Sequence, residues 1–359
     1  MFSTRLTFLS LVLVLILAAC AGPAAPAPAA GFTLTDALGR QVAFASPPQR
    51  IAVVGKALFM IADAIYLFPE ASARVAAIGK TMQSKRDFIP VVDPSYSSKM
   101  IFEADAGAEQ VAAAQPDLVL LKSYLAESLG KSVEALGIPV VYVDFETTEQ
   151  YWRDLATLGQ LFQNDARAQQ LITFYKERTG RISKALDGVA SKPHVLLLYY
   201  SDKEGSVAFN VPPLGWIQSV MVEMGGGQPV WKDAQLGSGW TKVNLEQIAA
   251  WDADQVYVMA YTKDSGEVVE QLKADPQWQA LRAVKQGQLY AFPGDYYSWD
   301  QPDPRWILGL TWLAAKIHPD RFSDLNMDQE ICTFYRELYR MDDAAFEKYI
   351  RPNFFGDLP

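Results

Sequence analysis

Two stretches of the chain repeat one another. Glu109-Gln110-Val111-Ala112-Ala113-Ala114-Gln115-Pro116-Asp117-Leu118-Val119 has a counterpart in Glu246-Gln247-Ile248-Ala249-Ala250-Trp251-Asp252-Ala253-Asp254-Gln255-Val256. Seven of the eleven aligned positions are identical or Val/Ile exchanges, too many to set aside as coincidence. Each copy passes from a glutamate through a short helical run to an aspartate and then into an apolar strand. An internal repeat constrains architecture more than any single motif does, because like units build like lobes. A chain of 359 residues has room for about two domains.

The surrounding pattern agrees. Arg50-Ile51-Ala52-Val53-Val54-Gly55 is a continuous apolar run ending in glycine, as a strand buried on both faces reads. Val75–Ile78, Leu118–Leu121 and Val140–Val143 follow, and His194–Tyr200, Gln255–Met259 and Gln288–Phe292 form a second series. Helical stretches separate them, so each series reads as an α/β lobe with a parallel sheet. Phe32–Val42 reads as a hairpin turning at Gly39, and Trp306–Ile317 and Asp328–Tyr339 as closing helices. Between Thr148 and Leu186 there is neither proline nor strand signal. Asn164 or Asp165 is placed to cap a helix running to Leu186, roughly 30 Å long and able to join two lobes.

The first residues are a targeting segment. Arg5 precedes an apolar run, Leu6–Leu17, too short for a membrane span of about 20 residues. It ends in Leu17-Ala18-Ala19-Cys20, which resembles the bacterial lipoprotein signal, where the cysteine is lipidated and becomes the mature N-terminus. An ordinary secretory signal with small residues at its cleavage site is the alternative. Residues 21–31 are Ala/Pro-rich and suit an extended tether. The expected organisation is a signal at 1–20, the tether at 21–31, an N-terminal lobe at 32–147, a connecting helical segment at 148–187, and a C-terminal lobe with terminal helices at 192–345. The expected location is extracytoplasmic, anchored to the cell membrane through lipid on Cys20. Cys332 is then the remaining cysteine, at helical spacing, and reads as a small buried hydrophobe.

A net charge of −9 argues against nucleic acid, which needs a basic footprint. No nucleophile elbow or spaced His–carboxylate set appears, so an enzyme is not expected. His194 and His318 lack metal-ligand spacing. Gly225-Gly226-Gly227 lacks the lysine and hydroxyl of a phosphate loop and reads as a helix C-terminus.

The chain resembles the periplasmic-binding proteins for iron-siderophores, haem and cobalamin over about residues 32–345. The marks are Asp36-Ala37-Leu38-Gly39-Arg40, Pro48-Gln49-Arg50-Ile51-Ala52-Val53, Glu109–Asp117, Leu136-Gly137-Ile138-Pro139-Val140 and Trp240–Asp254. The resemblance implies two Rossmann-like lobes joined by one long α-helix, a ligand cleft between them, and small closure motions. It implies work as a monomer with an ABC permease dimer and its ATPase. It also implies that Glu109 and Glu246 dock on arginines of the permease; the plainer alternative is a glutamate favoured in a helix's first turn. Ala253 stands where the first copy of the repeat has Pro116.

Ligands of open α/β sheets lie beyond the carboxyl ends of strands. Those ends here carry Lys56, Lys80, Arg86 and Lys122, and the aromatics Tyr124, Trp216, Trp240, Tyr261, Tyr297 and Trp299. Aromatic walls with a few cations suit a metal chelate such as a siderophore or haem, with no resident cofactor. Core packing is the alternative for each aromatic taken alone. A molybdate-type oxyanion and cobalamin stay open as ligands, as does haem iron held by a tyrosine. Arg305 reads either as a partner of Asp300 or Asp303 or as a ligand contact.

Overall fold

The computed structural model describes residues 31–80, 84, 86–202 and 206–358. The signal, Cys20 and all of the tether but residue 31 lie outside the described residues. Among the described residues no helix is long and apolar enough to cross a membrane.

The described residues form thirteen strands: β1 (Phe32–Thr35), β2 (Gln41–Phe44), β3 (Ile51–Val53), β4 (Val75–Gly79), β5 (Met100–Phe102), β6 (Leu118–Lys122), β7 (Val140–Val143), β8 (His194–Ser201), β9 (Ala208–Val211), β10 (Gln228–Pro229), β11 (Thr241–Val243), β12 (Gln255–Ala260) and β13 (Leu289–Ala291). The first half holds a five-stranded parallel sheet in the order β5-β4-β3-β6-β7. Its continuous apolar runs follow from burial on both faces. Ile51, Val53, Leu118, Leu120, Val141 and Val143 enter one core, while Ala52, Val54, Val119, Leu121, Val140 and Tyr142 enter another.

The second sheet has the order β11-β9-β8-β12-β13, with β10 beside β8. Its strands β8, β10, β12 and β13 are parallel, as expected, but β9 runs antiparallel to both of its neighbours, β8 and β11. The reason is chain length. Only a short link joins Ser201 to Ala208, and a parallel crossover needs a dozen residues or more.

The repeat now has a structural meaning. In the first copy Asp117 accepts the N–H groups of Gln49 and Arg50 at 2.7 and 2.9 Å, tying the start of β6 to the start of β3. In the second, Asp254 accepts the N–H of His194 at 2.7 Å, tying β12 to β8. Gln110 and Gln247 accept the N–H groups of Gly107 and Asn244 at 2.9 and 3.0 Å, closing the starts of the two short helices. The Asp36–Arg40 motif has a local role as well. Arg40 pairs with Asp36 at 2.8 Å and donates to the Val140 carbonyl at 2.8 Å, and Ala37 N–H donates to Tyr142. The β1–β2 hairpin thereby covers the open edge of β7, an edge that would otherwise expose unpaired backbone.

The connecting segment is two helices, Thr148–Phe162 and Asp165–Ala185, broken at Gln163 with φ of 57°. Asn164 caps the second, accepting the Arg167 N–H at 3.1 Å. The helices pack so closely that a Cβ at Gly159 would lie 2.5 Å from the Ala168 Cβ. The longer one, 21 residues, leads from the first sheet toward β8. Helix Ile217–Met224 ends at the glycine run as expected, with Gly226 at φ of 83° and Gly227 N–H bonded to Val222. Cys332 is only partly buried, on a helix that packs its apolar face inward.

Candidate functional site

Glu109 and Glu246 occupy the first turns of helices Ala108–Ala113 and Leu245–Trp251. Both are exposed, and among the described residues neither carboxylate has an ion-pair partner. The repeat thus presents one bare carboxylate from each half of the molecule.

At the carboxyl end of the second sheet four rings gather. Tyr199 stacks on Tyr261 with centroids 4.4 Å apart, and Trp240 lies 5.0 Å from Tyr199 and 6.2 Å from Tyr261. Trp216 meets Trp240 edge-on at 5.5 Å. All four are half-buried, so they form a wall with a wet side. Three of these were expected. Tyr199 was missed because it lies inside the apolar run of β8, where only its place near the strand's end marks it.

Behind the wall is a carboxyl that, among the described residues, has no cation paired with it. Asp300 is fully buried and accepts hydrogen bonds from Ser298 at 2.5 Å, Tyr261 at 2.7 Å and Gln218 at 3.4 Å. Burial pushes it up to about 7, although the three donors favour the ionised form.

A cavity of about 480 Å³ opens between the halves, within the range of small-molecule sites. The first half contributes Ser84 and Arg86; the second contributes Tyr261, Lys263 and the stretch Asp295–Ser298. Ser84 also bonds the Tyr296 carbonyl at 2.6 Å, and Arg86 the Asn353 carbonyl at 3.0 Å, so the halves touch at the cavity's rim. Arg86, Tyr261 and Tyr297 are therefore brought to one place.

Other expected ligand contacts are placed differently. Lys56 is exposed and lies beside Tyr124, whose hydroxyl donates to the Lys56 carbonyl at 3.2 Å. Lys80 is exposed but paired with Glu103. Lys122 is corrected: only 1 % of its side chain is accessible, and its three ammonium donors are taken by Glu146, the Asp144 carbonyl and, at 3.2 Å, the Met60 sulfur. A buried ammonium must be paired, and this one has no donor to spare for a ligand. Trp299 is corrected as well. It is fully buried, donates to Asp295 at 3.1 Å and packs on Phe354, so it is core. Tyr297 meets the cavity with only 1 % of its surface, its ring lying 4.9 Å from Phe59, and it serves as packed floor.

Arg305 pairs with Asp303, as one reading held, but also with Asp63 and Asp295, all at full burial. It makes no pair with Asp300. Among the described residues no group of His, Cys, Asp and Glu side chains is placed to hold a metal ion.

Comparison with known proteins supports this architecture. The periplasmic binding protein family model matches residues 51–296. The molybdate-binding protein MolA of Haemophilus influenzae is 23 % identical over 262 residues, 66 % of this chain and 72 % of that protein. The iron-uptake system-binding protein of Bacillus subtilis is 21 % identical over 76 % of this chain and 80 % of its own. The crystal structure of a periplasmic solute binding protein from Veillonella parvula superposes with a TM-score of 0.73 at 24 % identity, covering 89 % of this chain and 97 % of that one. The chain belongs to the periplasmic binding protein family, the solute-binding components that deliver small ligands to the permease and ATPase of ABC importers.

Proposed function

We propose that the imported solute is an iron chelate of the siderophore or haem type. The observation that carries this reading is the half-exposed wall of Tyr199, Trp216, Trp240 and Tyr261 beside the cavity between the halves. A wall of that size offers apolar contact to a bulky ligand, and Arg86, which lines the same cavity as Tyr261, supplies positive charge for an anionic one. The iron-uptake relative supports the same class. A second reading, a molybdate-type oxyanion, is favoured by the molybdate-binding relative. Four rings are more apolar surface than an oxyanion uses, which ranks the chelate first.

Titration of tryptophan fluorescence decides between them, with Trp216 and Trp240 as reporters. Ferric siderophores, haem, cobalamin and molybdate are added in parallel. Quenching by a ferric chelate at micromolar concentration is expected. Saturable quenching by molybdate alone overturns the chelate reading, and no binding of any probe at about 100 μM overturns both.

The proposal extends to anchoring and docking. Lipid on Cys20 would hold the chain at the membrane through the tether at 21–31, with a monomer as the working unit, and Glu109 and Glu246 would meet the permease. Metabolic labelling with a fatty-acid analogue tests the anchor: Cys20→Ala is expected to abolish incorporation, and equal labelling of the mutant rejects it.

A further inference from the structure

Between the two halves, behind the cavity, one guanidinium faces three carboxyls. Arg305 Nη1 donates to Asp63 at 2.5 Å and to Asp303 at 2.7 Å, and its Nε lies 2.8 Å from Asp295. Tyr335 accepts from Nε at 3.0 Å and donates to Asp295. The guanidinium carbon stands 4.2 Å over the Phe88 ring and 5.2 Å over Tyr297. The four charged side chains have no accessible surface.

The placement gives this cluster a role beyond packing. Asp63 belongs to helix Leu58–Ile65 of the first half, 242 residues from Arg305. Asp295 belongs to the stretch that floors the cavity, and Tyr297 lies in the same stretch. The Tyr339 hydroxyl adds a bond to the Asp63 carbonyl at 3.1 Å. A planar fork fixes direction as well as distance, so Arg305 fixes the floor relative to the opposite half.

We propose that Asp63 and Arg305 are positioning residues for the ligand cavity, clamping the floor Asp295–Ser298 to the helix that carries Asp63. The inference rests on the cavity being the ligand site, but its test does not require a ligand.

The charge balance supplies a readout that plain packing lacks. Three ionised carboxylates around one guanidinium leave two negative charges in excess, a costly state in dry protein. Burial raises Asp63 well above the usual carboxylate range, against the pull of Arg305, and its Oδ1 has no hydrogen-bond partner among the described residues, which favours the neutral acid. Asp303 is pushed up to about 6 by burial, again against Arg305. The groups facing Asp63 are Arg305, Asp303 and Asp87, with the phenols of Tyr151 and Tyr339 close enough to feel its charge. Asp303 faces Arg305 and Asp295, and Tyr175 lies near it.

Opening the clamp exposes Asp63 to water, where it titrates near about 3.9 and releases its proton at neutral pH. Opening therefore becomes easier as pH rises, by about tenfold per pH unit for one proton, until the folded value is passed. Asp303 adds to this only below about 6 and Asp300 only below about 7. The part of the slope that disappears in Asp63→Asn belongs to Asp63.

The experiment is hydrogen–deuterium exchange of the Asp295–Ser298 backbone in the ligand-free full chain from pH 5 to 8, corrected for intrinsic exchange. Wild type is expected to lose protection as pH rises, by up to about tenfold per pH unit while Asp63 stays protonated in the closed form. Asp63→Asn keeps the shape and one acceptor but cannot titrate, so its slope should be shallower than that of wild type. Arg305→Lys, which removes the fork, should lower protection at every pH. Equal slopes in wild type and Asp63→Asn overturn the proposal, and so does a floor whose protection is pH-independent in wild type. If the slope appears as expected and no probe binds the cavity, the proposed ligand fails while the clamp stands.

Discussion

Asp300 shows how much a single residue can bear on stability. Among the described residues it has three side-chain hydrogen-bond donors but no counter-ion, and burial raises it to about 7. In the unfolded chain it titrates near about 3.9, so the folded state holds the proton more tightly. The resulting penalty is absent below about 3.9, grows as pH rises, and is complete above the folded value. Between pH 5 and 8 this amounts to about 3 kcal/mol lost by wild type. Asp300→Asn should escape that loss. Urea unfolding of both proteins at pH 5 and 8 measures it, and parallel pH profiles would mean that Asp300 is ionised throughout. The fluorescence response of Trp216 and Trp240 also bears on this residue, because Tyr261 links their wall to Asp300.

At the scale of elements, the break between the two connecting helices depends on Asn164. Its side chain accepts the Arg167 N–H at 3.1 Å and donates to Glu70 at 2.8 Å, tying the start of the long helix to the first half. Asn164→Ala should cost about 1 kcal/mol of stability, seen as a lower urea midpoint with an unchanged slope. A midpoint equal to wild type would assign the break to the Gly159–Ala168 contact instead. This cap was legible in the sequence, and so were the central strands, because burial on both faces leaves unbroken apolar runs such as Ile51–Val54. Strands β5, β9 and β11 were not legible. They are three or four residues long, and residues such as Met100 and Ile101 face solvent, so no run or alternation marks them. The cleft was half legible. Strand ends located Trp216, Trp240 and Tyr261, but Trp299 misled, because its polar neighbours satisfy one another inside the protein and do not face a ligand. The Asp63–Arg305 contact spans 242 positions and leaves no local pattern to read.

The whole molecule carries its two bare carboxylates on a frame that is joined in several places. Helix Asp165–Ala185 runs between the halves, one apolar core includes side chains of both sheets, and Arg305 pairs across them. Glu109 and Glu246 therefore keep a defined separation, the condition under which two charge-assisted contacts set both register and orientation on a partner. Each such hydrogen bond contributes on the order of 1.5–3 kcal/mol when well formed, and less where water reaches it. Glu109→Ala/Glu246→Ala should lose at least about tenfold in affinity for the reconstituted importer, and either single change should lose less. Both glutamates are exposed and sit in helix first turns outside the cavity lining, so ligand titration should match wild type and the melting temperature should shift little. Importer binding that survives in a folded double mutant would reject the docking role and leave the glutamates as favourable first-turn residues. Loss of ligand affinity without loss of importer binding would place them at the cleft and reverse the orientation in which the two halves face the membrane.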